Sequence, residues 1–212
     1  YTNINNMNNM NNINNMNNIN NTNTLIIDLE TTGLPFRRNI PPFVIDNYSS
    51  CRIIEIGYII VNEMGETIKE YSNICKHTYR IDITNSHIHG ITNQMVDENG
   101  VDFNEILQEL YEDLKSVKHV MAYNIEFDYN VLLSDLYRKY DNKSKQIIAL
   151  LYQANKQCIM MVAKKFLKVN KFPKLIEVYK QLFKKEYIQT HRALDDVKLA
   201  YNCYIEIISR ND

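Results

Sequence analysis

Residues 24–30, TLIIDLE, constrain this chain more than any other stretch. A short apolar run of this length suits a buried strand. Asp28 and Glu30 stand two apart, so their side chains leave the same face of that strand. Two acids on one face of an apolar strand are costly unless something neutralises them. The run ends at TTGLP, where Gly33 permits a backbone turn that other residues resist. Spacing alone leaves two readings: a strand end where a site opens, or a strand end that has simply reached solvent.

The elements that follow set the fold class. RIIEIGYIIVN (52–62) and TIKEYSNIC (67–75) are β-rich and predict a hairpin through Met64-Gly65-Glu66. VDFNEILQELYEDLKSV (101–117) carries a helical stripe of Phe103, Ile106, Leu107, Leu110 and Leu114. KHVMAY (118–123) reads as a strand and EFDYNVLLSDLYRKY (126–140) as a helix. QCIMMVAKKFL begins as a strand or turn and ends helical, and PKLIEVYKQLF (173–183) reads as a helix with proline at its start. A last helix is expected from Arg192 to about Ile208. Three strands followed by alternating helices and strands predict an α/β domain with a mixed sheet.

Residues 1–23 are different. Isoleucine or methionine recurs every third residue among asparagines, a period that cannot hold one helical face. This stretch is expected to be a disordered, low-complexity tail, with a single folded domain over 24–212. The 212 residues, 45% hydrophobic, are enough for one substantial core. No run suits a membrane span and no signal peptide is expected. Cys51, Cys75, Cys158 and Cys203 lack metal-site spacing and are expected to be reduced thiols in an intracellular protein. The net charge of −1 argues against a broad phosphate-gripping surface, so any nucleic acid is expected to be held locally.

Two more acidic places stand out. In AYNIEFDYN, Asp128 lies just past a strand end near a helix start, where an acid also serves the helix dipole. Glu126 and Asp135 remain alternatives on periodicity. In HRALDD (191–196), a helical stripe collects Ala193, Asp196, Val197, Ala200 and Tyr204. Asp195 falls on the polar side with Arg192, Lys198 and Asn202. Asp196 therefore faces the core with no lysine or arginine on its stripe, and a cation from outside the chain is a natural partner.

DLETTGLP, AYNIEFD and HRALDD together resemble the three motifs of DnaQ-like 3′→5′ exonucleases with an Asp-Glu-Asp-Asp-His active site. That family includes the proofreading subunit of bacterial DNA polymerase III. RIIEIG, HIHGIT and FPKLIEVYKQLF also match family segments. The resemblance implies a ribonuclease H-like fold, a five-stranded mixed sheet flanked by helices, with 24–212 as the exonuclease domain. It selects Asp28, Glu30, Asp128 and Asp196 as metal ligands and His191 as general base, and it sets Glu126 and Asp135 aside. It implies two Mg²⁺ or Mn²⁺ ions about 3.5–4 Å apart, hydrolysis of terminal phosphodiesters and release of nucleoside 5′-monophosphates. Thr31, Thr32, Leu34, His89 and Asn124 are the implied substrate contacts, His89 alternatively being a turn residue.

The implied substrate is a single-stranded or frayed 3′ end of DNA. RNA, or a non-catalytic binding module on the same fold, is the alternative. A polymerase or replication partner, and a role in DNA proofreading or repair, are consistent with the resemblance. The segment FRRNIPPFVIDNYSSC (36–51) departs from the family as a long loop beside the first motif. Its Arg37 and Arg38 are read either as phosphate contacts or as a solvated pair.

Overall fold

The computed structural model describes residues 22–210. The tail expectation falls on 1–23, of which 1–21 lie outside the described residues, and the first strand opens at Asn23. In chain order the elements are β1 (Asn23–Thr31), a 3-10 turn at Ile45–Tyr48, β2 (Ile53–Val61), β3 (Thr67–Lys76), α1 (Ser86–His89), α2 (Asn93–Asn99), β4 (Val101–Asp102), α3 (Phe103–Leu114), β5 (Val117–Ala122), α4 (Ile125–Lys139), α5 (Asn142–Gln153), β6 (Asn155–Cys158), α6 (Ile159–Leu167), α7 (Leu175–Phe183) and α8 (Ala193–Ser209).

The strands form one mixed sheet in the order β4-β3-β2-β1-β5-β6. Antiparallel pairs join β1 to β2 and β2 to β3, while β1–β5, β5–β6 and β3–β4 are parallel. The sheet therefore has six strands rather than five. The extra strand is the pair Val101–Asp102, which sits beside Cys75 and Lys76 before Asp102 caps α3. Two residues carry no alternation to read, so they looked like the start of the helix. The strand or turn expected at the start of QCIMMVAKKFL is strand β6, its register fixed by β5 rather than by its own polar residues. The expected hairpin is there: Asn62 Oδ1 accepts the N–H groups of Met64 and Glu66 at 3.0 and 2.9 Å, and Gly65 takes φ +79°.

Residues on β1 alternate between two cores. Leu25, Ile27 and Leu29 pack toward α3, α4 and α5, and Ile26 packs toward α6, α7 and α8. Asp28 and Glu30 continue the Ile26 face toward the carboxyl end of the strand, as the two-residue period requires. A register shift between Glu30 and Thr31 ends the regular pairing with β2 and opens the strand there. Helix α5 went unread in the sequence, although Asp141 caps it by accepting the Ser144 N–H at 2.7 Å and Ile147, Ile148 and Leu151 are buried.

Gly57 explains how α8 reaches the sheet. It lies opposite Asp28 in the β1–β2 register. A Cβ at Gly57 would stand 2.4 Å from the Leu194 backbone nitrogen and 2.8 Å from the Ala193 Cβ. The first turn of α8 therefore rests directly on the backbone of β2, and only glycine permits that approach.

Candidate active site

Three elements deliver the acids to one place. β1 carries Asp28 and Glu30, the first turn of α4 carries Asp128, and the first turn of α8 carries Asp196. Asp128 is buried and its Oδ1 accepts the Leu29 N–H at 3.2 Å, which ties α4 to the strand between the two acids. Asp196 is buried as the helical stripe predicted, whereas Asp195 is half-buried and accepts the Thr190 hydroxyl at 2.7 Å.

Crowding shows in the titration of the group. Burial first, then Asp128, Asp196 and Glu30, pushes Asp28 well above the usual carboxylate range. Glu30 is pushed up to about 8 by burial and by Asp196, Glu55 and Asp128. Asp128 is pushed up to about 7 by burial, against the pull of the Leu29 N–H. Asp196 is raised by burial, partly offset by Gln189 and His191. Carboxylates buried and crowded in this way can hold a cation by the same logic.

Asp196 is satisfied on one oxygen only. Its Oδ2 accepts Gln189 Nε2 at 2.6 Å, but its buried Oδ1 has no hydrogen-bond partner. Ligand atoms of Glu30, His191 and Asp196 lie within 4.8 Å of one another. Oxygen donors with one imidazole at that spacing fit a hard divalent cation.

His191 takes the left-handed backbone conformation, φ +50°, immediately before α8. The next residue fixes it. Arg192 grips the buried Glu55 through Nε, at 3.0 and 3.1 Å, and through Nη2 at 2.5 Å. Glu55 also accepts the Ala193 N–H at 3.0 Å, so it caps α8 from β2. Glu55 lies opposite Glu30 across the sheet, a like-charge pair that Arg192 relieves. Neither Glu55, Arg192 nor Gln189 was singled out from the sequence. The isolated acid in the otherwise apolar run RIIEIGYIIV was the available signal.

The implied substrate residues divide. Leu34 is 72% exposed beside the site, and the exposed Asn124 precedes α4 without capping it through its side chain. Thr31 is buried with its hydroxyl closed on the Gly33 carbonyl at 2.8 Å. Thr32 has both its N–H and its hydroxyl engaged with residues 50 and 52. His89 is buried at the end of α1. Its Nδ1 accepts the Ile91 N–H at 3.1 Å and its Nε2 has no partner. Asp135, set aside by the motif spacing, is ion-paired with Arg52, Nε to Oδ1 at 2.6 Å.

Residues 25–204 match the RNase_T family model, described as an exonuclease. The chain belongs to the DnaQ-like exonuclease family. Among curated proteins it is 28% identical, over 184 residues, to the PolC-type DNA polymerase III of Thermotoga petrophila and to that of Thermotoga maritima. The match covers 87% of this chain and 12% of each polymerase. Among solved structures it resembles Escherichia coli exonuclease I in complex with a dT13 oligonucleotide, at TM-score 0.66 and 16% identity over 89% of this chain and 41% of that one. Exonuclease I from Methylocaldum szegediense gives TM-score 0.66 and 20% identity, over 90% of this chain and 41% of that one. These structures share the ribonuclease H-like architecture of this exonuclease domain. All four cysteines of the domain are free, and no helix among the described residues is long and apolar enough to cross a membrane.

Proposed function

We propose that this domain is a metal-dependent 3′→5′ exonuclease that shortens single-stranded or frayed DNA ends by one nucleotide at a time. The observation that carries the reading is the buried, unpartnered Asp196 oxygen beside Glu30 and His191. This carboxylate is buried without a lysine or arginine ion pair among the described residues, which is costly unless a metal completes it. Asp28, Glu30, Asp128 and Asp196 would hold two Mg²⁺ or Mn²⁺ ions, which would supply the positive charge that stabilises a phosphoryl group under attack and the oxygen leaving it.

The chain's own residues do the rest. His191, held over the acids by the Arg192–Glu55 clamp, takes the proton from the attacking water. The water oxygen bonds to phosphorus, the bond from phosphorus to the penultimate 3′-oxygen breaks, that oxygen takes a proton from solvent to become the new 3′-hydroxyl, and a nucleoside 5′-monophosphate leaves. Leu34 packs on the terminal base, and Asn124 and the unpaired nitrogen of His89 stand ready for the sugar and phosphate. Thr31 and Thr32 support the turn that presents Leu34.

DNA is the favoured substrate because the curated relatives are DNA polymerases and exonuclease I is seen with DNA and with the SSB-Ct segment. A replication or repair setting, alone or beside a polymerase, follows from the same likeness.

The test pairs end-labelled oligonucleotides with a variant. With Mg²⁺ or Mn²⁺, 5′-labelled single-stranded DNA should shorten stepwise from its 3′ end, faster than RNA of the same sequence. His191→Ala should lower turnover about 10²–10⁴-fold, the range of a general base, with metal affinity by calorimetry nearly unchanged. A large loss of metal affinity would make His191 a ligand instead. Absence of nucleotide release with either ion would remove the exonuclease reading.

A further inference from the structure

A groove of about 550 Å³ opens beside the carboxylates. It lies outside the carboxyl ends of the parallel strands β1, β5 and β6, where open α/β sheets take their ligands. One wall is the loop between β1 and β2, and the others are the first turn of α4, the start of α6 and the connection to α7. Leu34, Met161 and Phe172 line it and are 72%, 51% and 58% exposed. Apolar side chains grouped this openly mark a surface that something covers.

The loop is built to hold its shape. The buried Asn47 accepts the Arg37 N–H at 2.9 Å and donates to the Arg37 carbonyl at 3.0 Å. The Tyr48 hydroxyl donates to the Ile40 carbonyl at 2.7 Å, and Arg138 donates to the Ile45 carbonyl at 2.8 Å. These bonds fix the main chain on both sides of Arg37 and Arg38. Both arginine side chains are exposed at the groove and make no ion pair among the described residues. Glu126 is the acid of the lining, so the groove carries an excess of positive charge.

We infer that this groove holds the nucleotides of single-stranded DNA upstream of the scissile phosphate, with Arg37 and Arg38 on the backbone and Phe172 under a base. The inference rests on the exonuclease reading above and extends it to how the strand is gripped. The groove continues the site: its Phe127 adjoins Asp128, and its Leu34 follows Glu30 by one turn of chain. The chemistry selects a single strand. A duplex offers phosphates but hides its base faces, whereas exposed Leu34 and Met161, with Phe172 whose one face carries the Lys164 Nζ 4.3 Å from the ring centroid, fit exposed bases on a polyanion. The cationic surface is local, as the net charge of −1 requires.

The experiment measures anisotropy of a fluorescent oligothymidylate with the full chain in EDTA, across a salt series. The double variant Arg37→Ala/Arg38→Ala should bind at least about tenfold more weakly at low salt. Its slope of log affinity against log salt should flatten by about 1.4, at about 0.7 for each lost single-strand phosphate contact. Phe172→Ala should weaken binding about 5- to 150-fold, the range of a lost base-stacking contact. Unchanged affinity and slope, or equal competition by blunt duplex DNA, would overturn the inference.

Turnover of the p-nitrophenyl ester of thymidine 5′-monophosphate with Mn²⁺ separates the two readings, because this single nucleotide reaches the carboxylates without needing Arg37, Arg38 or Phe172. The double variant should raise KM for the oligonucleotide and keep ester turnover. Equal loss on both substrates would show the loop acting through the carboxylates and would also overturn the inference. If the wild type cleaves neither, the exonuclease reading fails, and the anisotropy still decides the groove.

Discussion

Asp135 and Asp196 are both buried, and they differ in what neutralises them. Asp135 has Arg52 on one oxygen at 2.6 Å and the Ile53 N–H on the other at 3.2 Å. Asp196 has Gln189 on one oxygen and nothing on the other. One charge is completed inside the chain and fixes α4 against β2. The other has an oxygen without a hydrogen-bond partner among the described residues, which is why it is the acid proposed to meet a metal. The contrast teaches that burial alone does not mark a functional acid; an unfilled valence at a buried acid does.

The widest separation between the two should appear on substitution. Asp196→Asn is expected to lower metal-dependent turnover by about 10³-fold or more, the scale of losing one stabiliser of transition-state charge. Its folding should be intact. Asp135→Ala should do the reverse: it strands Arg52 and costs about 3–5 kcal/mol, while the folded fraction keeps its turnover. Urea melts and single-turnover rates on both variants check this. A stable but inactive Asp135→Ala would break the comparison. Asp195→Asn is the register control and should leave most activity, because Asp195 lies off the buried stripe. If Asp195→Asn were the dead variant, the assignment of the helical face would be wrong.

Gly57→Ala comes next. The added methyl group must displace the first turn of α8, since it would sit 2.4 Å from the Leu194 nitrogen. The expected cost is about 1–3 kcal/mol of overpacking and about 10²-fold in turnover from misplacing His191 and Asp196 by about an ångström. Thermal melting together with kcat measures both. Wild-type turnover would show that α8 absorbs the shift away from the site.

What the sequence made legible followed from short periods. The two-residue period put Asp28 and Glu30 on one face, and the helical period put Asp196 rather than Asp195 inside. The motif spacing separated Asp128 from Asp135, a choice that periodicity left open because both are buried on α4. The illegible parts are long-range. Arg192 meets Glu55 across 137 positions and Arg52 meets Asp135 across 83, and nothing local announces either partner. Gly57 read as one more residue of a strand, because its role depends on a helix that arrives far later in the chain. Thr32 was expected at the substrate, yet its donors are consumed by the loop it helps to hold.

The last expected effect is thermal, and it tests whether the four acids crowd one another. Without metal, burial and then Asp196 push Glu30 up to about 8 and Asp128 up to about 7. Unfolded, both return to the ordinary carboxylate range near 4. The folded protein therefore binds more protons than the unfolded chain between about pH 4 and 8. The stability these groups contribute is fully present below about pH 4 and is lost as pH rises through 7 and 8. In EDTA the melting temperature should fall across that window, by about 2–4 °C for each kcal/mol lost in a chain of this size. Saturating Mg²⁺ or Mn²⁺ should abolish most of that fall, because a bound cation favours the ionised acids. Asp196→Asn should flatten the slope in EDTA, since Asp196 is the largest charged neighbour acting on Glu30. Asp135→Ala should leave the slope as it is, for Asp135 stands outside the groups that raise Glu30 and Asp128. A slope in EDTA that is level in the wild type, or that both substitutions change alike, would erase the distinction between a completed acid and an unfilled one.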